Sequence, residues 1–379
     1  AQTAAAMVLL VGAGLLVKSF WLLMSVDPGF RAENVLLASL EITESYETGS
    51  QRNGYRNELI RKVGEIPGVT AVGAAKTQPL KGGGEPYEFT LPGRSGPDAT
   101  MTPASGTLIV SPGYFGALGI PVARGRVFEA NDDLPESPAV LMINQAAAQR
   151  YWPGADPVGQ TVTMDETTFT VIGVAGDVRN EGLASAPQPT VYFPFGMAPR
   201  TSTQLFVRTT ADPEAVAAAV RQAIHAVDPL QPIAEVRTLQ SAMSETVAQP
   251  RFFTLLLAIF GTVAVFLAAL GLYGVVAYTV TRRTNEIGIR MALGARARDV
   301  VGMVVGRSVL PTAGGILIGT FAAVLLSRLM SSMLFEVRPA DPATFAVAAT
   351  LLAGVSLLAS WIPARRAACI EPTRALRAD

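Results

Sequence analysis

The chain has 379 residues, of which 50% are hydrophobic and 16% charged, and its mean hydropathy is +0.35. Soluble domains carry about one quarter charged residues, so this apolar excess has to be placed outside a single soluble core. The 30 basic side chains balance 30 acidic ones, and a lone cysteine, Cys369, excludes an internal disulfide and a cysteine-based metal cluster.

Residues 1–17 are uncharged and mostly apolar, Lys18 interrupts them, and Ser19–Val26 continues to Asp27. This predicts a first transmembrane helix over 1–26, with Lys18 snorkelling toward the outer interface beside Trp21. A secretory signal is the rival reading, weakened because no basic stretch precedes the apolar run and no small-x-small pattern follows it. A start at Ala1 without Met reads as an excerpt that lacks cytoplasmic N-terminal residues.

Residues 27–250 read as a large water-exposed α+β insertion. Asn34–Ile42 has strand character, Arg52–Val63 has helical spacing with Tyr55, Leu59 and Val63 on one side, and Val69–Ala75 returns as a strand. The pattern recurs at the far end: Gln204–Thr209 as strand, a helix opening at Asp212-Pro213 with Val216, Val220 and Ile224 in register, then Ile233–Val236. Two such units predict one subdomain built from both ends, 33–110 plus 201–240. Between them, 111–200 reads as mainly β, with strands at Val140–Asn144, Thr161–Met164, Thr168–Val174 and Thr190–Pro194 and a short helix at Gln145–Tyr151.

Candidate chemistry in the insertion is sparse. His225 sits on an amphipathic helix and reads as solvent-facing, and Asp132-Asp133 reads as a solvated loop. Gly82-Gly83-Gly84 lacks the Lys-Ser/Thr partner of a phosphate-binding loop. No nucleophile, base and orienter set is visible, so no catalytic residue, cofactor or metal site is expected. Leu239–Gln249 is expected to run unbroken into the next span, a stiff connection that would transmit displacement where a glycine linker would absorb it.

From 251 to 379 three charge-free stretches predict transmembrane helices near 252–280, 303–328 and 343–363. Arg282, Arg283, Arg290, Arg296 and Arg298 cluster between the first two, and Arg365, Arg366, Arg374 and Arg377 follow the last. The positive-inside bias puts these in the cytoplasm, with the 329–342 loop and the large insertion outside. Pro311 is expected to kink its helix, and Gly314-Gly315 and Gly319 to allow close helix packing.

Thr281–Ala295 is the most informative local sequence. Ile287 and Met291 follow helical spacing, Glu286 and Arg290 can pair across one turn, and Gly294-Ala295 permits a turn into the next span. An interfacial helix held by anionic lipid would need only the arginines. The mixed display of Glu286, Ile287, Arg290 and Leu293 suits a cytoplasmic protein partner.

Glu286-Ile287-Gly288-Ile289-Arg290-Met291-Ala292-Leu293-Gly294-Ala295 resembles the signature loop of FtsX-like permeases of the MacB class of ABC transporters. Pro363-Ala364-Arg365-Arg366-Ala367-Ala368 with Glu371-Pro372-Thr373 is similar to the family's ending, and Tyr151-Trp152-Pro153-Gly154-Ala155-Asp156-Pro157-Val158-Gly159 to its periplasmic core. The resemblance implies an α-helical membrane protein with four transmembrane helices and a large inserted α+β periplasmic domain, a MacB-like core plus an FtsX-like permease domain. It also implies an inner-membrane subunit, not itself an enzyme, that couples through Glu286, Ile287, Gly288, Arg290, Leu293 and Gly294 to a cytoplasmic ABC ATPase.

Further implied partners are a second copy or second permease half, a periplasmic adaptor and membrane lipid, with no nucleic acid. The work implied is mechanotransmission, which exports or extracts a lipid, peptide, lipoprotein or antibiotic-like substrate. The sequence departs from MacB itself in showing no Walker A pattern. It is also similar to the C-terminal half of duplicated acidobacterial permeases. The competing reading is a membrane-anchored sensor or scaffold with an external ligand-binding domain and no transport activity.

Overall fold

The computed structural model describes residues 2–43, 45–82, 84–94, 99–104, 106–134, 136–197, 200–283, 286, 289, 296–331 and 334–368. The chain divides into two compact units, Val26–Val247 and a second made of Ala1–Ser25 with Ala248–Asp379.

In the inserted unit the strands are β1 (Val35–Glu41), β2 (Val69–Ala75), β3 (Phe89–Thr90), β4 (Thr100–Met101), β5 (Thr107–Val110), β6 (Val122–Gly125), β7 (Val140–Asn144), β8 (Thr161–Met164), β9 (Thr167–Ala175), β10 (Val191–Pro194), β11 (Ser202–Thr209) and β12 (Ile233–Thr238). They join into one sheet in the order β12-β1-β11-β2-β5-β10-β7-β9-β8-β3-β4, with β6 paired to β9. Two hydrophobic cores divide this sheet into lobes.

The first lobe packs α2 (Gly49–Gly64) and α5 (Ala217–Val227) on β1, β2 and β11. Helix α2 begins where Thr48 accepts the Gln51 backbone N–H and Gln51 returns a side-chain acceptor to the Thr48 N–H, which satisfies two otherwise orphaned donors. Its spacing buries Tyr55, Leu59 and Val63 against Leu36, Leu205, Val220 and Ile224. Each such aliphatic side chain contributes about 1.5–3 kcal/mol on burial.

The second lobe is centred on Phe89, Leu141, Trp152, Phe169, Val171 and Phe193, with α4 (Gln145–Tyr151) capped by Asn144. The expected division at residue 110 is therefore corrected. Phe89 and Met101 lie opposite each other in the β3–β4 pair, and Thr90 of β3 lies opposite Thr163 of β8. Phe89, Leu91 and Met101 thus belong to the β-rich lobe, where their side chains are buried. The lobes meet at β2 and β5, which share one register pair, Ala75 with Val110. Two flanking backbone bonds support it, Lys76 N–H to Ile109 (2.9 Å) and Ser111 N–H to Ala74 (2.8 Å). Helix α3 (Tyr114–Leu118) starts hard against β2: a Cβ at Gly73 would stand 2.5 Å from the Tyr114 Cα.

After β12, Thr238 caps α6 (Leu239–Thr246). The expected unbroken helix into the membrane is corrected here. Val247 leaves helical geometry at φ −103° and ψ 3°, and α7 (Ala248–Arg282) starts afresh at Ala248. Pro250 supplies the reason: it has no N–H to give the Thr246 carbonyl, and it is tolerated only in the first turn of a new helix.

Among the described residues, the other unit contains α1 (Gln2–Met24), α7, α8 (Ala297–Leu329) and α9 (Pro342–Ala368), four helices long and apolar enough to cross a membrane. Helix α1 buries Ala6, Met7, Val11 and Leu15 against Ala268, Ala323, Ala348 and Leu352 of the other three. Gly319 lets α8 approach closely, since a Cβ there would stand 2.6 Å from the Met7 Cβ; Gly315 meets Thr3 in the same way, whereas Gly314 meets nothing within 4 Å. Helix α8 runs through Pro311 without interruption. Lys18 pairs with Asp341 at 2.9 Å, and the Ser19 hydroxyl accepts the Phe335 N–H at 2.8 Å. The loop before α9 is thereby tied to α1.

Candidate functional site

The predicted coupling segment follows α7. Of its residues, Glu286 is described: it is helical and exposed. Ile287, Gly288, Arg290, Leu293 and Gly294 lie outside the described residues, as does the expected Glu286–Arg290 pair. Glu286 lies 3.8 Å from Arg283, one turn back. Exposed pairs of this kind contribute at most about 1 kcal/mol to stability, so its charges mark a surface more than they hold the fold. Ile289, half-exposed on the same stretch, adds an apolar side chain to it.

Around this segment three arginines contact aromatic side chains. The Arg282 guanidinium lies 5.1 Å from the Tyr278 ring centroid and that of Arg365 5.2 Å from Trp361. Arg366 donates to the Tyr273 hydroxyl at 3.1 Å. Helix α8 opens with the Arg296 N–H bonded to the Asp299 carboxylate at 3.1 Å, which places an acid at the positive end of the helix dipole. Glu286 and Arg283 help line a cavity of about 150 Å3 between α7 and α8, whose walls also carry Leu272, Val276, Val304 and Pro311. The ring of basic residues was legible from positive-inside counting. The aromatic partners were not, because a Tyr or Trp near a span end reads only as an interfacial anchor.

Elsewhere the candidate groups are structural. Asp132 and Asp133, expected in a solvated loop, are buried at 6% and 3% exposure. Asp132 is satisfied internally, accepting from Arg126 at 2.5 and 3.0 Å and from the Glu129 N–H at 2.8 Å, whereas Asp133 accepts from the Gly196 N–H at 2.7 Å and its Oδ2 has no partner. The Arg126 bonds hold Asp132 below the usual carboxylate range. Burial pushes Asp133 up, against the bonds it accepts. His225 is exposed on α5. Among the described residues no group of three or more His, Cys, Asp or Glu is placed to hold a metal ion.

Glu85 is the most heavily bonded carboxylate at the junction of the two lobes. It accepts from Arg200 Nε (3.0 Å) and Nη2 (2.6 Å), from Lys76 Nζ (2.5 Å) and from the Tyr87 hydroxyl (2.8 Å). The Arg200 bonds, ahead of those from Lys76 and Tyr87, bring it down to about 2 despite partial burial.

Comparison with known proteins bears on this arrangement directly. Residues 5–226 match the MacB-like periplasmic core domain, and residues 258–372 match the FtsX-like permease C-terminal domain. The macrolide export ATP-binding/permease protein MacB of Azoarcus sp. is 28% identical over 275 residues, 68% of this chain and 40% of that protein. MacB of Agrobacterium fabrum is 26% identical over 276 residues, 70% of this chain and 42% of that protein. The probable syringafactin export ATP-binding/permease protein SyfD of Pseudomonas syringae pv. tomato is 28% identical over 284 residues, 71% of this chain and 42% of that protein. The chain thus spans about two-fifths of the length of these curated relatives. Both matched domains are permease domains, and the first covers more than half of the chain. The chain belongs to the MacB/FtsX-type ABC transporter permease family, as a multi-pass inner-membrane protein with a large periplasmic domain.

Proposed function

We propose that this chain is the permease subunit of a mechanotransmission ABC transporter, in which ATP binding and hydrolysis by a cytoplasmic ABC ATPase subunit move the periplasmic domain. The observation that carries the reading is the order of the matched domains. A periplasmic core follows the first span, and the permease segment contains, directly after α7, the charged stretch in which Glu286 faces Arg283. That stretch, with Glu286, Ile287, Gly288, Arg290, Leu293 and Gly294, is the surface offered to the ATPase. Its mixed acidic, basic and apolar display matches a protein partner better than it matches lipid headgroups alone. Two permease copies, or this unit and a second permease half, would form the working pair. The likeness to duplicated acidobacterial permeases rests on sequence features only.

Relatives named for macrolide export and syringafactin export support outward movement of cargo. The cargo class is a lipid, peptide, lipoprotein or antibiotic-like molecule, with a periplasmic adaptor as a further partner. The test is co-purification of the full chain in nanodiscs with candidate ABC ATPases, followed by ATP turnover. E286K and R290E are expected to lose ATPase association while the periplasmic domain keeps its fold. Association undiminished in both variants, with external ligand binding intact, overturns the reading in favour of a membrane-anchored sensor.

A further inference from the structure

The chain enters the periplasmic unit after α1 and leaves it before α7, and the two connections are built differently. On the exit side α6 ends at Thr246, Val247 departs from helical geometry and α7 starts afresh at Ala248. On the entry side α1 ends at Met24, and residues 25–34 run to β1 as neither helix nor strand. A segment without a ladder of its own has to place its backbone polar groups elsewhere. Here the folded unit takes them. The Pro28 carbonyl accepts the Arg179 N–H at 3.1 Å, and the Arg31 N–H donates to the Leu118 carbonyl at 2.8 Å. The Asn34 carbonyl accepts both the Thr209 N–H at 2.8 Å and the Thr209 hydroxyl at 3.2 Å. Gly29, at φ +83°, passes so close to the unit that a Cβ would stand 1.9 Å from the Asp177 carbonyl oxygen. Phe30 and Ala32 are buried.

One side chain gathers this segment. Arg208 lies at the end of β11, opposite Val35 of β1. Its Nε donates to the Ala117 carbonyl at 2.8 Å, its Nη2 to the Arg31 carbonyl at 2.9 Å and its Nη1 to the Glu33 carbonyl at 3.3 Å. All three acceptors are main-chain groups. Ala117 and Leu118 close α3, where carbonyls have no helical partner left. Arg208 satisfies the first and the Arg31 N–H the second. A cation also suits the negative end of a helix. The guanidinium is a rigid planar fork that can hold several acceptors at once, whereas a lysine ammonium is a compact charge without that fixed geometry.

We propose that Arg208 is a positioning residue that pins the segment leaving α1 to α3 and β11, so that displacement of the first span enters the periplasmic sheet here and not through α6. Helix α6 is itself well held, by Leu239 and Ala242 in the core and by Glu245 on Arg237 at 2.5 Å. The break at Val247 nevertheless lies between α6 and the span that follows, so that path contains a point where the chain can bend. The anchor stands on the geometry of the periplasmic unit alone; the path of the displacement rests on the transport reading.

The test is hydrogen–deuterium exchange of the full chain in nanodiscs, read by mass spectrometry beside thermal unfolding, for the parent, R208M and R208K. In R208M, loss of the charged donor is expected to raise exchange over 29–34 by about tenfold or more. Residues 36–40 and 203–207 are expected to keep the parent rate, with the melting temperature within about 5 °C. R208K, which keeps the charge but not the fork, is expected to fall between. Protection of 29–34 in R208M equal to the parent overturns the anchor. So does a rise of equal size throughout β1 and β11, or an R208M chain that does not fold, because Arg208 would then hold the fold and not this connection. A second arm adds the ABC ATPase that co-purifies with the parent. R208M is expected to keep ATP turnover and to lose the ATP-dependent change in exchange that the parent shows over β1 and β11, while two glycines inserted after Val247 leave that change in place. A change kept in R208M and lost on the insertion overturns the path. A parent that shows no response to ATP counts against the transport reading, and the first comparison still decides the anchor.

Discussion

Glu85→Gln isolates the ionic hub at the lobe junction. The change keeps one carbonyl acceptor of similar shape but removes the charge, and leaves Arg200 and Lys76 facing each other without a counter-ion. In the folded protein the Glu85 carboxyl sits at about 2, against 4.5 in the unfolded chain. Each tenfold change in proton affinity is about 1.4 kcal/mol, so the ionised form contributes about 3 kcal/mol at pH 7 and somewhat less after solvent screening. The sign follows from the depressed value: the stabilisation is complete above 4.5 and is lost as pH falls toward 2, with roughly 1.4 kcal/mol left at pH 3. For a unit of this size a loss of about 2–3 kcal/mol lowers the melting temperature by about 5–10 °C. Thermal unfolding of the full chain in nanodiscs, followed by circular dichroism, is expected to show that deficit at pH 7 and to show it shrinking at pH 3. A deficit equal at both pH values would refute the electrostatic account and leave only altered packing. No deficit at pH 7 would refute the hub altogether.

Asp341→Ala removes the acceptor for the Thr344 N–H and hydroxyl and for Lys18. A cost of about 1 kcal/mol from the lost cap is expected to show as faster proteolysis of the 334–341 loop. Because the Thr344 hydroxyl, ahead of Lys18, holds Asp341 at about 2, the parent loop should stay protected until pH falls toward that value. Gly319→Ala forces a Cβ to 2.8 Å from the Ala4 carbonyl and is expected to lower detergent-melting stability by about 1–3 kcal/mol. Gly314→Ala, with nothing within 4 Å, serves as the neutral control. Gly73→Ala is expected to destabilise the periplasmic unit by a similar amount, read by limited proteolysis near 73–114, since its new atom meets the backbone of α3 and not a movable side chain.

Much of the fold could be read locally. β2, β7, α4 and β8 begin and end at the residues predicted, because each carries its own periodicity and its own stop signal. What escaped was non-local or depended on a single atom. Phe89 and Met101 look like loop hydrophobics until β8 is brought beside them. Asp132-Asp133 looks solvated because an acidic pair before Leu-Pro is usually so; only the bonds from Arg126 and from the Gly196 N–H make its burial tolerable. The break at Val247 was in principle visible, since Pro250 denies the Thr246 carbonyl its donor, but the apolar run beginning at Phe252 masks it. At the candidate site, charge counting found the arginines. The proximity of Glu286 to Arg283 was not singled out, because a carboxylate on a helix has i±3 and i±4 neighbours that spacing alone ranks equally.

The membrane helices raise the question of what holds the segment after α7 in place. Lipid tails are as apolar as leucine, so helix association here depends on close approach and polar contacts, not on the hydrophobic effect. Those contacts are unevenly spread. Close approach joins α1 to α7 at Gly261 and Gly271 and to α8 at Gly315 and Gly319. Polar contacts join α1 to the outer loop through Ser19 and Lys18, and α8 to α9 through the Ser308–Ser360 hydroxyl pair at 2.9 Å. Between α7 and α8 the described buried apolar cluster includes Val276 and Val280 with Leu272 and Val304, beside the cavity that Glu286 helps to line. Among the described residues, the two helices that flank the proposed coupling segment are thus each packed on α1 or α9. If that segment is where an ATPase pushes, α1 and α9, on which α7 and α8 pack, are the helices that would take up the displacement.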